Sequence, residues 1–586
     1  MGSSPDSFDR FEDFLKEWSR RDFLRRMGGA AAFTAFMAGG MEFLAACANA
    51  GQGQPTAQVS PRTGGHVTEG AFTDVKQLSP YLISDTASSS VTGLMFEGLL
   101  GAKANGDLIP VLATEVPKAA ADGLTYTFKL RKDLKWSDGR PLTSEDVLFS
   151  YQLHWDPKYK AVNSPRRGDI TEFVDTLTAP DPQTFVMKTK KVYAPTMIKF
   201  GQAGAGYGVV PKHVLGSLAP EAINTHDFNR APSVSNGVFK FVKWDTGQQV
   251  VLARNDSYWG GKSHLDQYVY KVLPDQTTLA NQLKTGEVDF GSIGEPFVDD
   301  VKAHADIVDV VTFDVAIFDF YAYQLDPSKP AGKLFADNRV RQALLYALNR
   351  EQMVKSLYFN NATVATGPVP PVHTWAYNKD AKPKFVFDKK KAEDLLDAAG
   401  WKKGASGIRE KDGVPFKFEV ITNAGNKVRE GIVQVFQQQW ADIGVQCTPK
   451  PIQFTELVRQ IQNIRTFDMF MVGFSWGQDP DQSDLWHSRN TAPGGFNGGI
   501  YKSPAVDKIL DDAVSTLDQN KRKQLYYQLQ DALNEEAPAP ILTFRKGIYG
   551  VNKRVKGLTG GDKGLGTYTQ FGNRPWMKDT FVTDGK

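Results

Sequence analysis

Residues 122–139 read Asp122-Gly123-Leu124-Thr125-Tyr126-Thr127-Phe128-Lys129-Leu130-Arg131-Lys132-Asp133-Leu134-Lys135-Trp136-Ser137-Asp138-Gly139, followed after Arg140 by Pro141-Leu142-Thr143. Tyr126, Phe128 and Leu130 alternate with Thr125, Thr127 and Lys129, the period-two pattern of a strand with one buried face. Thr143 then opens Ser144-Glu145-Asp146, a capping box for a helix whose apolar face carries Val147, Leu148 and Tyr151. A half-buried strand leading into a capped amphipathic helix predicts a mixed α/β fold, and the same alternation of signals continues along the chain. Ala392, Leu395, Leu396 and Ala399 fall at helical spacing between Asp388, a cap for the start, and Gly400, a cap for the end. Val340, Ala343, Leu344, Ala347 and Leu348 predict another helix over 338–355.

Upstream, Arg20 and Arg21 precede an uncharged Ala/Gly/Phe stretch that ends in Leu44-Ala45-Ala46-Cys47. An arginine pair before a mild apolar segment is an export address of the twin-arginine type, and small residues before a cysteine suit cleavage and lipid attachment at Cys47. Residues 1–46 are therefore read as a leader. The alternative is an uncleaved span over Met27–Ala46, long enough for the hydrocarbon core but weakened by Gly28, Gly29, Gly39, Gly40 and Glu42. Residues 47–65, rich in Gly, Gln, Ala, Ser and Pro, form a flexible tether in this reading. The expected location is extracytoplasmic, on a lipid anchor at the cell membrane, in the periplasm or on the outer face.

The chain after residue 46 is too long for one hydrophobic core, so two lobes or more are expected. A net charge of +3 over 586 residues, without a basic run interleaved by aromatics, argues against a nucleic-acid partner. Cys47 and Cys447 are the two cysteines, so with Cys47 lipidated no internal disulfide forms; Cys447, alternating with Val445, reads as an inert buried thiol. The eight histidines show no metal spacing, and neither a metal nor any other cofactor is expected.

Taken together, the 122–143 run, Leu78-Ser79-Pro80-Tyr81, Met95-Phe96-Glu97-Gly98-Leu99, Asn255–Trp259, Leu273-Pro274-Asp275, Gly286-Glu287-Val288-Asp289, Arg339–Asn349 and Tyr501-Lys502-Ser503-Pro504 with Asp507 resemble the solute-binding proteins of the dipeptide, oligopeptide and nickel class, family 5, that serve ATP-binding-cassette importers. The resemblance implies an α/β clam of two lobes, the type II periplasmic-binding-protein arrangement with an extra subdomain in the first lobe. It implies lobe I over 66–313 and 544–586, with the subdomain near 91–206, and lobe II over 314–543. The crossings would be Phe313–Tyr323 and Ile541–Tyr549. A solute is held between the lobes and delivered to a permease driven by a separate ATPase; the chain itself is a monomer and not an enzyme. An oligopeptide is the default solute and an oligosaccharide the alternative.

In peptide-binding relatives a carboxylate after this region's strand pairs with the ligand's α-amine. Aligning Asp479-Pro480-Asp481 on the family's similar segment puts Trp476 at that position. Asp479 or Asp481 can substitute if the loop shifts, although Asp479-Pro480 is also an ordinary helix start. Trp476, Trp486 and Phe496 offer faces for stacking, or else core. Tyr321 and Tyr323 alternate toward one face at a crossing and are read as cleft-lining, and Asn423 ends a strand where polar loop tips reach ligands.

Two motifs point elsewhere. Gly473-Phe474-Ser475-Trp476-Gly477 spells G-x-S-x-G, but His487 is the sole later histidine and stands only twelve residues on, so a secreted serine hydrolase is the weaker reading. Gly204-Ala205-Gly206-Tyr207-Gly208 has the wrong spacing for a dinucleotide loop and reads as a turn. His487 beside Asp484 is at most a ligand pair and more simply a solvated one.

Overall fold

A computed structural model of the chain describes residues 60–584, apart from 203–204, 381–384, 559–563 and 567–573. The leader with Arg20 and Arg21, the lipidation site Cys47 and most of the tether lie outside the described residues. Among the described residues no helix is long and apolar enough to cross a membrane.

The expected strand forms over Thr125–Lys129, with Tyr126 and Phe128 buried and Thr127 and Lys129 exposed. It pairs antiparallel with Thr184–Thr189, which pairs in turn with Val174–Asp181. The capping box is present: Asp146 accepts from the Thr143 backbone N–H at 3.0 Å, and the Thr143 hydroxyl receives the Glu145 N–H. Asp388 caps Lys389–Ala398 by accepting from the Lys391 N–H at 2.9 Å. The helix predicted over 338–355 is instead two, Asn338–Tyr346 and Arg350–Leu357. Asn349 accepts from the Gln352 N–H at 3.0 Å and so starts a second helix where apolar spacing alone suggested continuity.

Among the described residues the principal sheet has eleven strands. In chain order they are β1 (His66–Ala71), β2 (Phe239–Asp245), β3 (Gln249–Arg254), β4 (Gln267–Val272), β5 (Phe290–Ser292), β6 (Val308–Tyr323), β7 (Ala362–Val364), β8 (Lys417–Asn423), β9 (Gln446–Ile452), β10 (Met469–Ser475) and β11 (Ile541–Asn552). Across the sheet the order is β9-β8-β10-β6-β11-β5-β1-β4-β3-β2, with β7 also on β11. Parallel pairs stand toward both ends, β8 with β9 and β10 at one and β1 with β4 and β5 at the other, where β4, β3 and β2 continue antiparallel to the edge.

The two long central strands join these ends. β6 and β11 pair antiparallel from Val308↔Asn552 to Asp314↔Lys546 and resume at Phe318↔Phe544. Between those points Val315, Ala316 and Ile317 of β6 face Arg545 alone, a bulge that bends the strand and frees its side chains. Apolar residues cluster separately on the two sides of the bulge. One side holds Val67, Phe128, Tyr268 and Phe290; the other holds Tyr321, Phe418, Trp440 and Met471 in one cluster and Phe320, Phe470 and Leu529 in a second. Cys447 lies in the latter half, where burial pushes its thiol well up and leaves it inert.

Candidate ligand cleft

Cavities open on both flanks of the bulge, one of about 520 Å³ and one of about 420 Å³, and Val315 and Ile317 line both. Both volumes fall in the range of small-molecule sites. The larger is walled by Arg166, Asp169, Lys199 and Tyr207 from the chain before the bulge and by the segment after β10 from the chain beyond it. The two walls touch: Gln202 donates to the Gln478 side chain at 2.8 Å, and the Ala194 N–H donates to the Val514 carbonyl at 2.7 Å. The Trp476 backbone N–H donates to the Ala316 carbonyl at 2.9 Å, tying the loop to the bulge.

Beyond Ser475 the chain turns on its own carboxylates. Asp479 accepts from the Asp481 N–H at 3.0 Å, and Asp481 accepts from the Ser483 N–H at 3.0 Å and hydroxyl at 2.7 Å. Asp479 is not free for a ligand: Arg522 donates to both its oxygens at 2.7 and 3.0 Å, with both side chains buried. A buried carboxylate needs such a partner, so Asp479 is structural rather than a substitute anchor. Asp481 and Asp484 also line the cavity, and neither has an ion pair among the described residues. Burial, reinforced by the charge of Asp479, pushes Asp481 up despite the Ser483 hydrogen bonds. Asp484, though solvent-exposed, is pushed the same way by the protein packed around it and then by Asp481, with the Lys199 charge opposing.

Trp476, Asp479 and Asp481 thus lie in the cavity wall, and the other expected residues do not. Tyr321 and Tyr323 do share a face, but it is the core face: both are fully buried against Trp440, Phe436 and Phe335. Asn423 is consumed internally. Its side-chain oxygen accepts from Arg429 at 2.9 Å, and Arg429 donates to Asp319 at 3.0 Å, which also receives the Tyr358 hydroxyl at 2.7 Å. Trp486 is core, 5.7 Å ring to ring from Trp476, and Phe496 packs outside the cavity at 5.3 Å from Phe474. Trp476 is itself only 5% exposed, enclosed by Phe318, Phe474 and Trp486, so its faces are not an open stacking platform.

The G-x-S-x-G motif has a packing explanation. A Cβ on Gly473 would come within 2.1 Å of the Arg429 guanidinium, so the glycine makes room for the buried ion pair. No helix follows β10 directly, and among the described residues the Ser475 hydroxyl reaches only the Trp476 carbonyl at 3.4 Å. His487 is turned to Asp507 and Asp511, at 3.5 and 3.3 Å, rather than to Ser475 or Asp484. Among the described residues no group of three or more His, Cys, Asp or Glu side chains is placed to hold a metal ion.

Sequence reasoning missed Arg166, Asp169, Lys199 and Tyr207. They reach the cavity from segments some 300 positions before the loop they face, and no local pattern signals that encounter. Asp484 was weighed only as a neighbour of His487.

The family model for bacterial extracellular solute-binding proteins, family 5 Middle, matches residues 107–496. The oligopeptide-binding protein AppA of Bacillus subtilis is 31% identical over 522 residues, covering 88% of this chain and 93% of the relative. The solved structure of AppA from Bacillus subtilis in complex with a nonapeptide superposes with a TM-score of 0.70 at 28% identity, covering 89% of this chain and 100% of that one. NikZ from Campylobacter jejuni, solved in complex with Ni(L-His), gives a TM-score of 0.70 at 27% identity, covering 88% and 99%.

Proposed function

We propose that this chain, which belongs to the bacterial extracellular solute-binding proteins of family 5, captures an oligopeptide between two lobes and presents it to the permease of an ATP-binding-cassette importer. The observation that carries the reading is the pair of cavities meeting at Val315 and Ile317 on a strand that links both halves. A ligand running past the bulge touches both walls, and a ligand that binds the closed arrangement better shifts the population toward it. Similarity to AppA, solved with a nonapeptide, supports a peptide over a smaller solute. Lobe I is taken as 66–313 and 544–586 with a subdomain near 91–206, and lobe II as 314–543. The protein works as a monomer that releases its cargo unchanged.

Calorimetric titration with peptides of two to nine residues tests this, alongside cello- and xylo-oligosaccharides. Binding at micromolar strength, about 8 kcal/mol, with a fall in radius of gyration on peptide addition, is the expected result. Heat from a sugar and none from peptides would transfer the reading to oligosaccharides. The twin-arginine leader and the lipid on Cys47 belong to the same proposal. Arg20→Lys with Arg21→Lys should leave the precursor in the cytoplasm, and normal secretion of that variant refutes the export route.

A further inference from the structure

The two halves of the molecule also meet away from both cavities. The helix Pro504–Ser515 buries Val506, Leu510 and Ala513 in the cluster that holds Phe320 and Leu529. Val514, the next residue along, points elsewhere and packs against the cluster on the other side of the bulge, the one that holds Phe128 and Tyr193. The Val514 carbonyl lies in the last turn of its helix, where no donor of the helix itself reaches it, and it accepts the Ala194 N–H at 2.7 Å. Leu517 arrives at the same place from just past the helix. A Cβ built on Gly123 would stand 4.0 Å from Leu517 Cδ1 and 3.3 Å from Val192 Cγ2. Val192, Ala194, Val514 and Leu517 line neither cavity, so these contacts are made whatever the cleft holds.

We propose that Val514 and Leu517 form, with Val192 and Ala194, a clasp that favours the closed cleft by the same factor for every cargo. This rests on the oligopeptide reading, because it takes closure around a peptide as given and adds what sets its starting point. A ligand closes the cleft through its own differential contacts, which change with its sequence and length. The clasp contributes an amount that does not change, since its four residues touch no cargo. Apparent affinity scales with the fraction of protein that is already closed, so a clasp that raises this fraction tightens binding of all peptides alike. A hydrogen bond and a half-buried valine at such a rim are together worth about a tenfold shift in that equilibrium. The arrangement suits a receptor for peptides of many sequences, because part of the drive to close comes from the protein and less is asked of each side-chain pocket.

Val514→Asp tests this by setting a carboxylate against the apolar cluster on which the clasp rests. Calorimetry on the intact protein compares it with the wild type, using two peptides that share neither length nor side chains, pentaalanine and Ser-Leu-Lys-Phe-Glu-Val-Thr-Asn-Gly. The variant should bind both more weakly by one common factor, about three- to tenfold. A variant that had merely lost stability would instead titrate fewer sites and keep the wild-type dissociation constants. Leu517→Asp, at a position already 48% exposed, repeats the test if Val514→Asp melts early. Dissociation constants within twofold of the wild type, or weakening of one peptide without the other, overturn the proposal and leave the oligopeptide reading standing. Where the wild type binds only one of the peptides or neither, small-angle scattering from the empty proteins decides. A larger radius of gyration in the variant then upholds the clasp, and superimposable curves overturn it. Binding of neither peptide removes the oligopeptide reading itself.

Discussion

The two cavities share Val315 and Ile317 and treat charge in opposite ways. In the smaller one each charge is matched within the chain: Glu69 with Arg574 at 2.8 Å, Glu295 with Arg545, and Lys546 with Asp314. In the larger one Asp481, Asp484 and the cation of Arg166 have no ion pair among the described residues. Charges that are buried and paired hold the fold together, because removing either partner strands the other in a low-dielectric surrounding. Charges left unmatched in a cavity wall add little to the fold and stay available to a ligand. The contrast separates charges that the fold commits to each other from charges that it leaves uncommitted.

The largest effect should follow from breaking a matched pair. Arg574 is fully buried and donates to both Glu69 oxygens, at 2.8 and 2.9 Å, and to the Tyr268 hydroxyl at 2.7 Å. Arg574→Met leaves Glu69 buried and uncompensated and should cost about 3–5 kcal/mol, read as a lower urea midpoint. A loss below about 1 kcal/mol would show that burial and pairing do not mark the structural charges. A carboxyl that is buried but bonded only by neutral donors sharpens the comparison. Glu97 accepts the Tyr258 hydroxyl at 2.6 Å and the Trp259 N–H at 2.7 Å, and burial pushes it up to about 7, against those bonds and the nearby Arg131 charge. Its folded state keeps a proton that the unfolded chain releases near pH 4.5. The stabilisation from that proton is full below pH 4.5 and drains away as pH rises to 7. Comparing urea unfolding of the wild type and Glu97→Gln at pH 5 and pH 8 should show the wild type losing up to about 3 kcal/mol more over that interval. Parallel pH profiles would mean that Glu97 is already ionised in the fold.

The smallest effect on stability is expected where charges are unmatched. Asp481→Asn with Asp484→Asn should shift unfolding by less than about 1 kcal/mol, toward greater stability if at all, since mutual repulsion is removed. The same substitutions in the wild-type background should flatten any rise in stability on acidification that these raised carboxyls contribute, because protonation relieves the repulsion in the folded state. A melting temperature lowered by many degrees would place the two carboxylates among the structural charges.

Local elements were legible where chemistry is local. Tyr126 and Phe128 landed inside because alternation at period two leaves a strand no other way to bury them. Asp388 and the Thr143–Asp146 box work through neighbours two or three residues away. The single helix expected over 338–355 divides at Asn349 because a cap and a tolerated mid-helix polar residue look alike until the backbone turns. Tyr321 and Tyr323 show the limit more sharply. Their alternation was read correctly as a shared face, but whether that face meets solvent or a packed layer depends on Phe436 and Trp440, more than a hundred residues away.

Strand periodicity, helix caps, the charge balance and the resemblance carried by 122–143 were determined by sequence alone, since each rests on residues adjacent along the chain or on motifs kept intact within it. Which carboxylate is neutralised was decided only in three dimensions. Asp479 and Asp481 stand two positions apart on the same loop, yet Arg522 reaches one and leaves the other, because ion pairing depends on a few ångströms of side-chain approach that no spacing in the sequence encodes.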